Sequence, residues 1–181
     1  MFARTERLLL RPGWPEDAPA VFEAINDQAV VRHLASAPWP YRREDADLFL
    51  SSPRPLLHPN FLIFRRTQES PVLVGSIGFG DNGEGDLEIG YWIVRDHWGR
   101  GYATEAGRAV LDIARTIGHR EIEAEHFVDN PVSGKVLKKL GFKPTGKVLP
   151  RYSRGRGEKA DAVQFRLQLS ENGDVERPMA A

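Results

Sequence analysis

Apolar residues recur along the chain in two periods, every second residue and every third or fourth, and the switches between them mark out strands and helices. Over residues 86–94, Leu87, Ile89, Tyr91 and Ile93 alternate with Glu88, Gly90, Trp92 and Val94, which predicts a strand with one set on each face. The period then lengthens. Ala106, Val110, Ile113, Ala114 and Ile117 fall three or four apart, while Arg108, Asp112 and Arg115 fall elsewhere. That is an amphipathic helix, closed by Gly118, and the turn Trp98-Gly99-Arg100-Gly101-Tyr102-Ala103 leads into it.

Before this stretch, residues 4–11 read as one strand ended by Pro12 and Gly13. Pro15 opens a helix with Glu16 and Asp17 in its first turn and with Val21, Phe22 and Ile25 on its buried side. Residues 30–34 predict a short second helix, residues 38–41 an irregular proline-bounded segment and residues 43–50 a third helix. Residues 60–66 and 72–79 predict neighbouring strands, and residues 81–86 a hairpin turn. After the long helix comes a strand over 121–128, then a helix opened by Asn130 and Pro131 and closed by Gly141. On that helix Val132, Val136, Leu137 and Leu140 share a face. Closing strands at 142–149 and 161–169 flank a basic loop at 151–156. The order predicts one α/β domain with a mixed sheet over residues 1–169 and a polar, frayed tail from Ser170 to the end.

Composition narrows the function classes. The 181 residues carry 25 basic and 25 acidic side chains, so bulk charge offers nothing to a nucleic acid. There is no cysteine, which removes disulfides, thiolate metal sites and a thiol nucleophile together. The amino terminus has only a three-leucine apolar run, too short for a signal-peptide core or a membrane span, and a cytoplasmic location is expected. The acidic turn lacks the closing glutamate of a calcium loop, because Trp92 stands at that position, and the five histidines form no i, i+4 pair, so no metal is expected.

A glycine-punctuated turn opening a helix offers backbone N–H groups and a positive dipole end to an anion, most often phosphate. Thr104 stands where a dinucleotide fingerprint needs its last glycine, and Gly134-Lys135 lacks the glycine and hydroxyl of a Walker loop. The flanks are more specific. Trp98-Gly99-Arg100-Gly101-Tyr102-Ala103 resembles the Gln/Arg-x-x-Gly-x-Gly/Ala signature of the GNAT N-acetyltransferases, with tryptophan in its first position. Glu88-Ile89-Gly90-Tyr91-Trp92 before it, and Asn130-x-x-Ser133 through Leu137 to Phe142 after it, are similar to the RimJ/RimL-type branch.

The resemblance implies a GNAT-like fold: a mixed, mostly antiparallel sheet of six to seven strands flanked by helices. It implies acetyl-CoA as co-substrate, with Gly99, Arg100, Gly101, Tyr102, Ala103 and Thr104 around its pyrophosphate, Trp92, Ile93 and Val94 along its pantetheine arm, and Asn130 and Ser133 beside it. Without cysteine, direct attack of a neutral amine on the thioester is the economical route, and it needs a base and an acid. Glu88 is the first candidate for base, through water, against the reading of a solvated strand glutamate. Leu137 occupies the position where many GNAT enzymes carry a tyrosine acid, so that role is not carried over. Ser133 matches the serine that serves as proton donor in RimL-like enzymes, and the resemblance implies it as the acid, against the reading of a plain helix-start serine. Capping the helix alone explains Asn130; His126 is a proton relay or a satisfied buried imidazole, and Lys135, Lys138 and Lys139 are partners of the coenzyme's 3′-phosphate or a solvated face. Tyr152 is a spare donor candidate. Trp39 and Tyr41 are expected to shape the acceptor side, and Asp81, Glu84 and Asp86 to attract a cation or simply to make a polar turn. The acceptor implied is a protein amino terminus of the ribosomal-protein type, or else a small amine, polyamine or antibiotic, with no nucleic acid or membrane partner and a monomer or homodimer as the working form. A non-catalytic acyl-CoA sensor and a nucleotide-binding regulator are the readings from other classes.

Overall fold

The computed structural model describes residues 1–83 and 85–169, so Glu84 and the tail expected from Ser170 onward lie outside the described residues. Eight strands form one sheet in the order β1-β2-β3-β4-β5-β6-β8-β7. They are β1 (Ala3–Arg4), β2 (Leu8–Arg11), β3 (Asn60–Arg65), β4 (Val72–Asp81), β5 (Leu87–Ile93), β6 (Glu121–Phe127), β7 (Lys143–Ser153) and β8 (Glu158–Gln168). Every neighbouring pair is antiparallel except β5 and β6, which run parallel with the crossover helix α4 (Tyr102–Thr116) between them. The count exceeds the expected six to seven. One reason is that residues 4–11 are not a single strand but a tight hairpin, in which Thr5 Oγ1 accepts the Leu8 N–H at 3.0 Å.

Phe61, Leu62, Ile63 and Phe64 on β3 are all buried because helices cover both faces of that part of the sheet. Phe61 and Ile63 join Val110, Ala114 and Leu137 in a core under α4 and α5 (Pro131–Lys139). Leu62 and Phe64 join Val21, Ile25 and Ala46 in a second core under α1 (Ala18–Ile25), α2 (Gln28–Val31) and α3 (Arg43–Ser51). Each of these side chains larger than alanine contributes about 1.5–3 kcal/mol by leaving water. The second helix starts earlier than residues 30–34, because the Asp27 carboxylate accepts the Ala29 N–H at 2.8 Å and caps it. Val132 is exposed in the first turn of α5, so only Val136, Leu137 and Leu140 of its expected face turn inward.

The basic loop expected at 151–156 is shorter than the pattern suggested: Arg151, Tyr152 and Ser153 belong to β7. The hairpin tip beyond them docks on the segment after α2. Ser153 Oγ donates to the Leu34 carbonyl at 2.7 Å, the Arg154 N–H to Ala35 at 2.9 Å and Arg156 Nε to Arg32 at 2.7 Å. Gly155 lies so close that a Cβ there would stand 2.6 Å from Val31 Cγ1 and 2.8 Å from the Val31 carbonyl oxygen. Backbone cannot retreat as a side-chain tip can, so Gly155→Ala is expected to cost about 1–3 kcal/mol of stability. Urea unfolding checks this, and an unchanged midpoint and slope would refute so close a fit.

Candidate active site

The turn before α4 is held open from both sides. Gly99 and Gly101 take positive φ, 73° and 81°, and nothing lies within 4 Å of where a Gly99 Cβ would be. Gly101 is the N-cap and supplies no side-chain cap, and the first helical bond runs from the Glu105 N–H to the Gly101 carbonyl at 3.0 Å. The N–H groups of Tyr102, Ala103 and Thr104 therefore have no partner within the helix. The arrangement is a cradle for an anion. Glu105 fixes it to the amino-terminal hairpin, accepting from Thr5 Oγ1 at 2.6 Å, the Arg7 N–H at 2.9 Å and Arg7 Nε at 2.7 Å. Arg7 also donates to the Arg100 carbonyl at 3.0 Å and lies over the buried Tyr102 ring, while the Arg100 side chain is exposed. At the strand end of the turn, Trp98 Nε1 donates to the Ile93 carbonyl at 2.7 Å.

From that end the sheet opens. Parallel pairing of β5 with β6 is confined to Glu88 opposite Glu123. The Val94 N–H bonds the Val74 carbonyl, so strand alternation directs Trp92 and Val94 toward β4 and turns the main chain of Tyr91 and Ile93 toward the gap. Across the gap, the Val128 N–H bonds Asp161, which by the same alternation turns Glu125 and Phe127 toward β5. Of the run Trp92, Ile93 and Val94, only Ile93 faces the gap with its backbone, and its carbonyl is already taken by Trp98. Tyr91 is the residue that the run left out.

The two faces of β5 carry different chemistry. On the face shared with α1 to α3 stands Glu88, in a cleft of about 50 Å³ lined by Asn82, Glu123, Glu125, Arg151 and Gln164. Burial and the Glu125 charge push the Glu88 carboxyl up to about 7, against the opposing pull of Arg151, whose Nη2 is 3.2 Å away. On the other face, the Tyr91 hydroxyl lies 2.7 Å from Ser133 Oγ and 3.2 Å from the Ser133 carbonyl, at the start of α5. Burial pushes the Tyr91 phenol up to about 12, so it stays protonated. Asn130 caps α5, its Oδ1 accepting the Ser133 N–H at 3.4 Å.

Residues 7–143 match the acetyltransferase (GNAT) domain family. The chain belongs to the GNAT family of acetyltransferases. A relative described as an uncharacterized N-acetyltransferase p20, from Bacillus licheniformis, is 31% identical over 170 residues, covering 90% of this chain and 93% of its own. A GNAT-family acetyltransferase structure from Bacillus anthracis superposes with a TM-score of 0.77 at 26% identity, covering 93% of this chain and 98% of its own. RimL, a ribosomal L7/L12 alpha-N-protein acetyltransferase in complex with coenzyme A, superposes with a TM-score of 0.78 at 19% identity, covering 95% of this chain and all of its own, which is a likeness of fold.

The other expected residues of this GNAT domain are placed by their burial and bonds. Tyr41 is 6% exposed within the second core, where burial pushes its phenol up to about 12, and Trp39 is half-buried against the same core. The His126 Nδ1 is 2.9 Å from the Phe127 carbonyl, and its ring packs on Phe165. Tyr152 is exposed, and Asp81 binds the Gly83 N–H within its turn. Sequence reasoning missed Arg151, Glu105 and the Tyr91 hydroxyl. Only Tyr91 left a signal, a phenol in the apolar row with Leu87, Ile89 and Ile93.

Burial alone would raise the Glu105 carboxyl, but hydrogen bonds from Thr5 and Arg7 outweigh it and the group lies below the ordinary range. A depressed carboxyl stabilises the fold above its unfolded value and loses that contribution as pH falls through the folded one. Glu105→Gln is therefore expected to melt below the parent at pH 7, with the gap closing in acid. A pH-independent gap in melting temperature would contradict this.

Proposed function

We propose that this GNAT acetyltransferase transfers an acetyl group from acetyl-CoA directly to a primary amine. The observation that carries the reading is the opened sheet. A strand-like gap leads from the uncapped start of α4 past Tyr91, with Glu88 on one side of the sheet and Ser133 on the other. The donor set fits the coenzyme: backbone N–H groups of residues 102–104 for the pyrophosphate, and main-chain groups of Ile93 and Tyr91 for the amide-bearing arm. Gly99 leaves room for the phosphates, and Asn130 and Ser133 stand beside the arm. Bound there, the coenzyme supplies acetyl as an activated thioester.

Glu88 accepts the proton of the acceptor amine, through water. A carboxyl poised near neutrality combines a useful ionised fraction with useful basicity. Ser133 Oγ donates to the departing sulfur, and the Tyr91 hydroxyl, held on it at 2.7 Å, fixes its direction and can return the proton. The chain has no cysteine to carry an acyl group, which supports direct attack. The fold likeness to RimL favours a protein α-amino group as acceptor. The narrowness of the cleft beside Glu88 favours a second reading within the same chemistry, a small-molecule amine.

Thiol release from acetyl-CoA with peptides and with small amines separates the acceptors, and tight coenzyme binding with no acceptor-dependent release would instead indicate an acyl-CoA sensor. With a good acceptor, kcat/KM should rise through a pH near 7 as Glu88 ionises. Glu88→Gln should lower it about 100-fold and abolish that limb, with coenzyme affinity unchanged. A limb that survives would remove Glu88 as base. Ser133→Ala should lower kcat about 100-fold, and Tyr91→Phe roughly tenfold, each with little change in coenzyme dissociation measured by calorimetry. Parent-like turnover in Ser133→Ala would remove it as acid.

A further inference from the structure

We propose that Arg151 is a positioning residue for the transfer: reaching in from β7, it keeps the Glu88 carboxylate ionised and aimed into the cleft. The inference rests on Glu88 being the base. Arg151 is committed in three directions, with Nη2 3.2 Å from Glu88 Oε2, Nε 3.0 Å from Glu125 Oε1 and Nη1 3.4 Å from the Asn82 carbonyl. A guanidinium fork held at three points cannot swing away without breaking the others. Its strand is fixed as well. On the same strand Ser153, and just past its end Arg154, are hydrogen-bonded to the carbonyls of Leu34 and Ala35.

The surrounding charges make this cation decisive. Glu88 faces Glu125 and Glu123 from β6, Arg151 from β7 and the Asn82 turn, with Gln164 of β8 closing the cleft. Glu123 is answered separately, by Arg166 Nη2 at 2.7 Å and Asn82 Nδ2 at 3.1 Å. Arg151 is the cation that touches both Glu88 and Glu125, whose side chains are 19% and 16% exposed. Two poorly hydrated carboxylates sharing a cleft compete for one proton once their shared cation is gone. Glu88 would then stay protonated at neutral pH and could not accept a proton from the amine. The cation in this balance comes from β7, at the start of the segment expected to be a loop.

The test is the pH dependence of kcat/KM in full-length protein with the best acceptor, for the parent, Arg151→Gln, Arg151→Lys, Glu125→Gln and Glu88→Gln. Removing the cation should move the rising limb upward by about one pH unit or more, because a neighbouring arginine lowers a carboxyl by that order. At pH 7 Arg151→Gln should then lose about fivefold in kcat/KM and recover it near pH 9, which a merely structural lesion does not do. Arg151→Lys should return the limb most of the way, and Glu125→Gln should move it downward, since a repelling charge is removed. If Arg151→Gln does not fold, the opposite shift in Glu125→Gln and the near-parent limb of Arg151→Lys carry the test, and a Glu125→Gln limb that stays put overturns the proposal. A limb in Arg151→Gln at the parent's position also overturns it, whatever the loss of rate. Glu88→Gln separates the two levels. If it keeps the limb, the base assignment falls and this proposal with it; if it loses the limb while Arg151→Gln keeps the parent's, only the role of Arg151 falls.

Discussion

Two parallel strands that pair at one residue and then part are the constraint on which the rest of this fold is arranged. In the middle of a sheet, main-chain N–H and C=O groups ordinarily find a strand on each side, and a buried group left without one costs about 1–3 kcal/mol. Beyond Glu88 and Glu123, β5 and β6 forgo that pairing. The separation persists because each strand is held from its other side, β5 by an unbroken register with β4 and β6 by one with β8. α4 and α5 then pack into a common core against the same face, with Leu111, Leu137 and Leu140 inside it. Such an opening suits a ligand that can hydrogen-bond like a strand, and the amide-bearing arm of a coenzyme A thioester is one.

Strand alternation turns the opening into a partition. Because successive side chains on β5 point to opposite faces, Glu88 and Tyr91, three residues apart, lie on opposite sides of the sheet. In the proposed mechanism, the group that accepts a proton and the pair that donates one are thereby kept on separate sides of the sheet. Their environments differ accordingly. Burial raises both groups: it keeps the Tyr91 phenol protonated, whereas it brings Glu88 toward neutrality, where its carboxylate is a stronger base.

Periodicity carried the elements because both signals are local. The 3.6-residue pattern of α4 and the alternation of β5 are consequences of one buried face each, and both elements lie within a residue or two of where the pattern puts them. The glycine turn before α4 was legible for the same reason, since glycines at 99 and 101 are required by the positive φ there. What could not be read is every contact whose partners are far apart in the chain. Thr5 meets Glu105 across 100 positions, Arg151 meets Glu88 across 63 and Tyr91 meets Ser133 across 42. No local pattern marks them. The misreading of residues 151–156 has a further cause, for Arg151, Tyr152 and Ser153 lack an apolar alternation: only their pairing with β8 makes them a strand.

That last element ties the segment after α2 to the surroundings of Glu88. The β7–β8 tip is bonded to residues 32–35, and Gly155 lies against Val31 and Ala37, so this hairpin and the segment after α2 form one packed unit. Asp129, which precedes the cap of α5, joins the same unit through Arg32 and Arg156, at 2.9 and 2.8 Å. A displacement of the segment on which an acceptor would rest therefore reaches Arg151 through β7 and the Ser133 helix through Asp129. Exposed ion pairs are weak when isolated, typically below about 1 kcal/mol, but the half-buried Arg156 bonds Asp129 and the Arg32 carbonyl at once. The candidate base and the candidate acid lie on opposite faces of β5, yet both are anchored to the same hairpin tip. Relative placement of the two groups is set along β5, where Tyr91 holds Ser133, and is braced by the carboxy-terminal hairpin through Arg151 and Arg156.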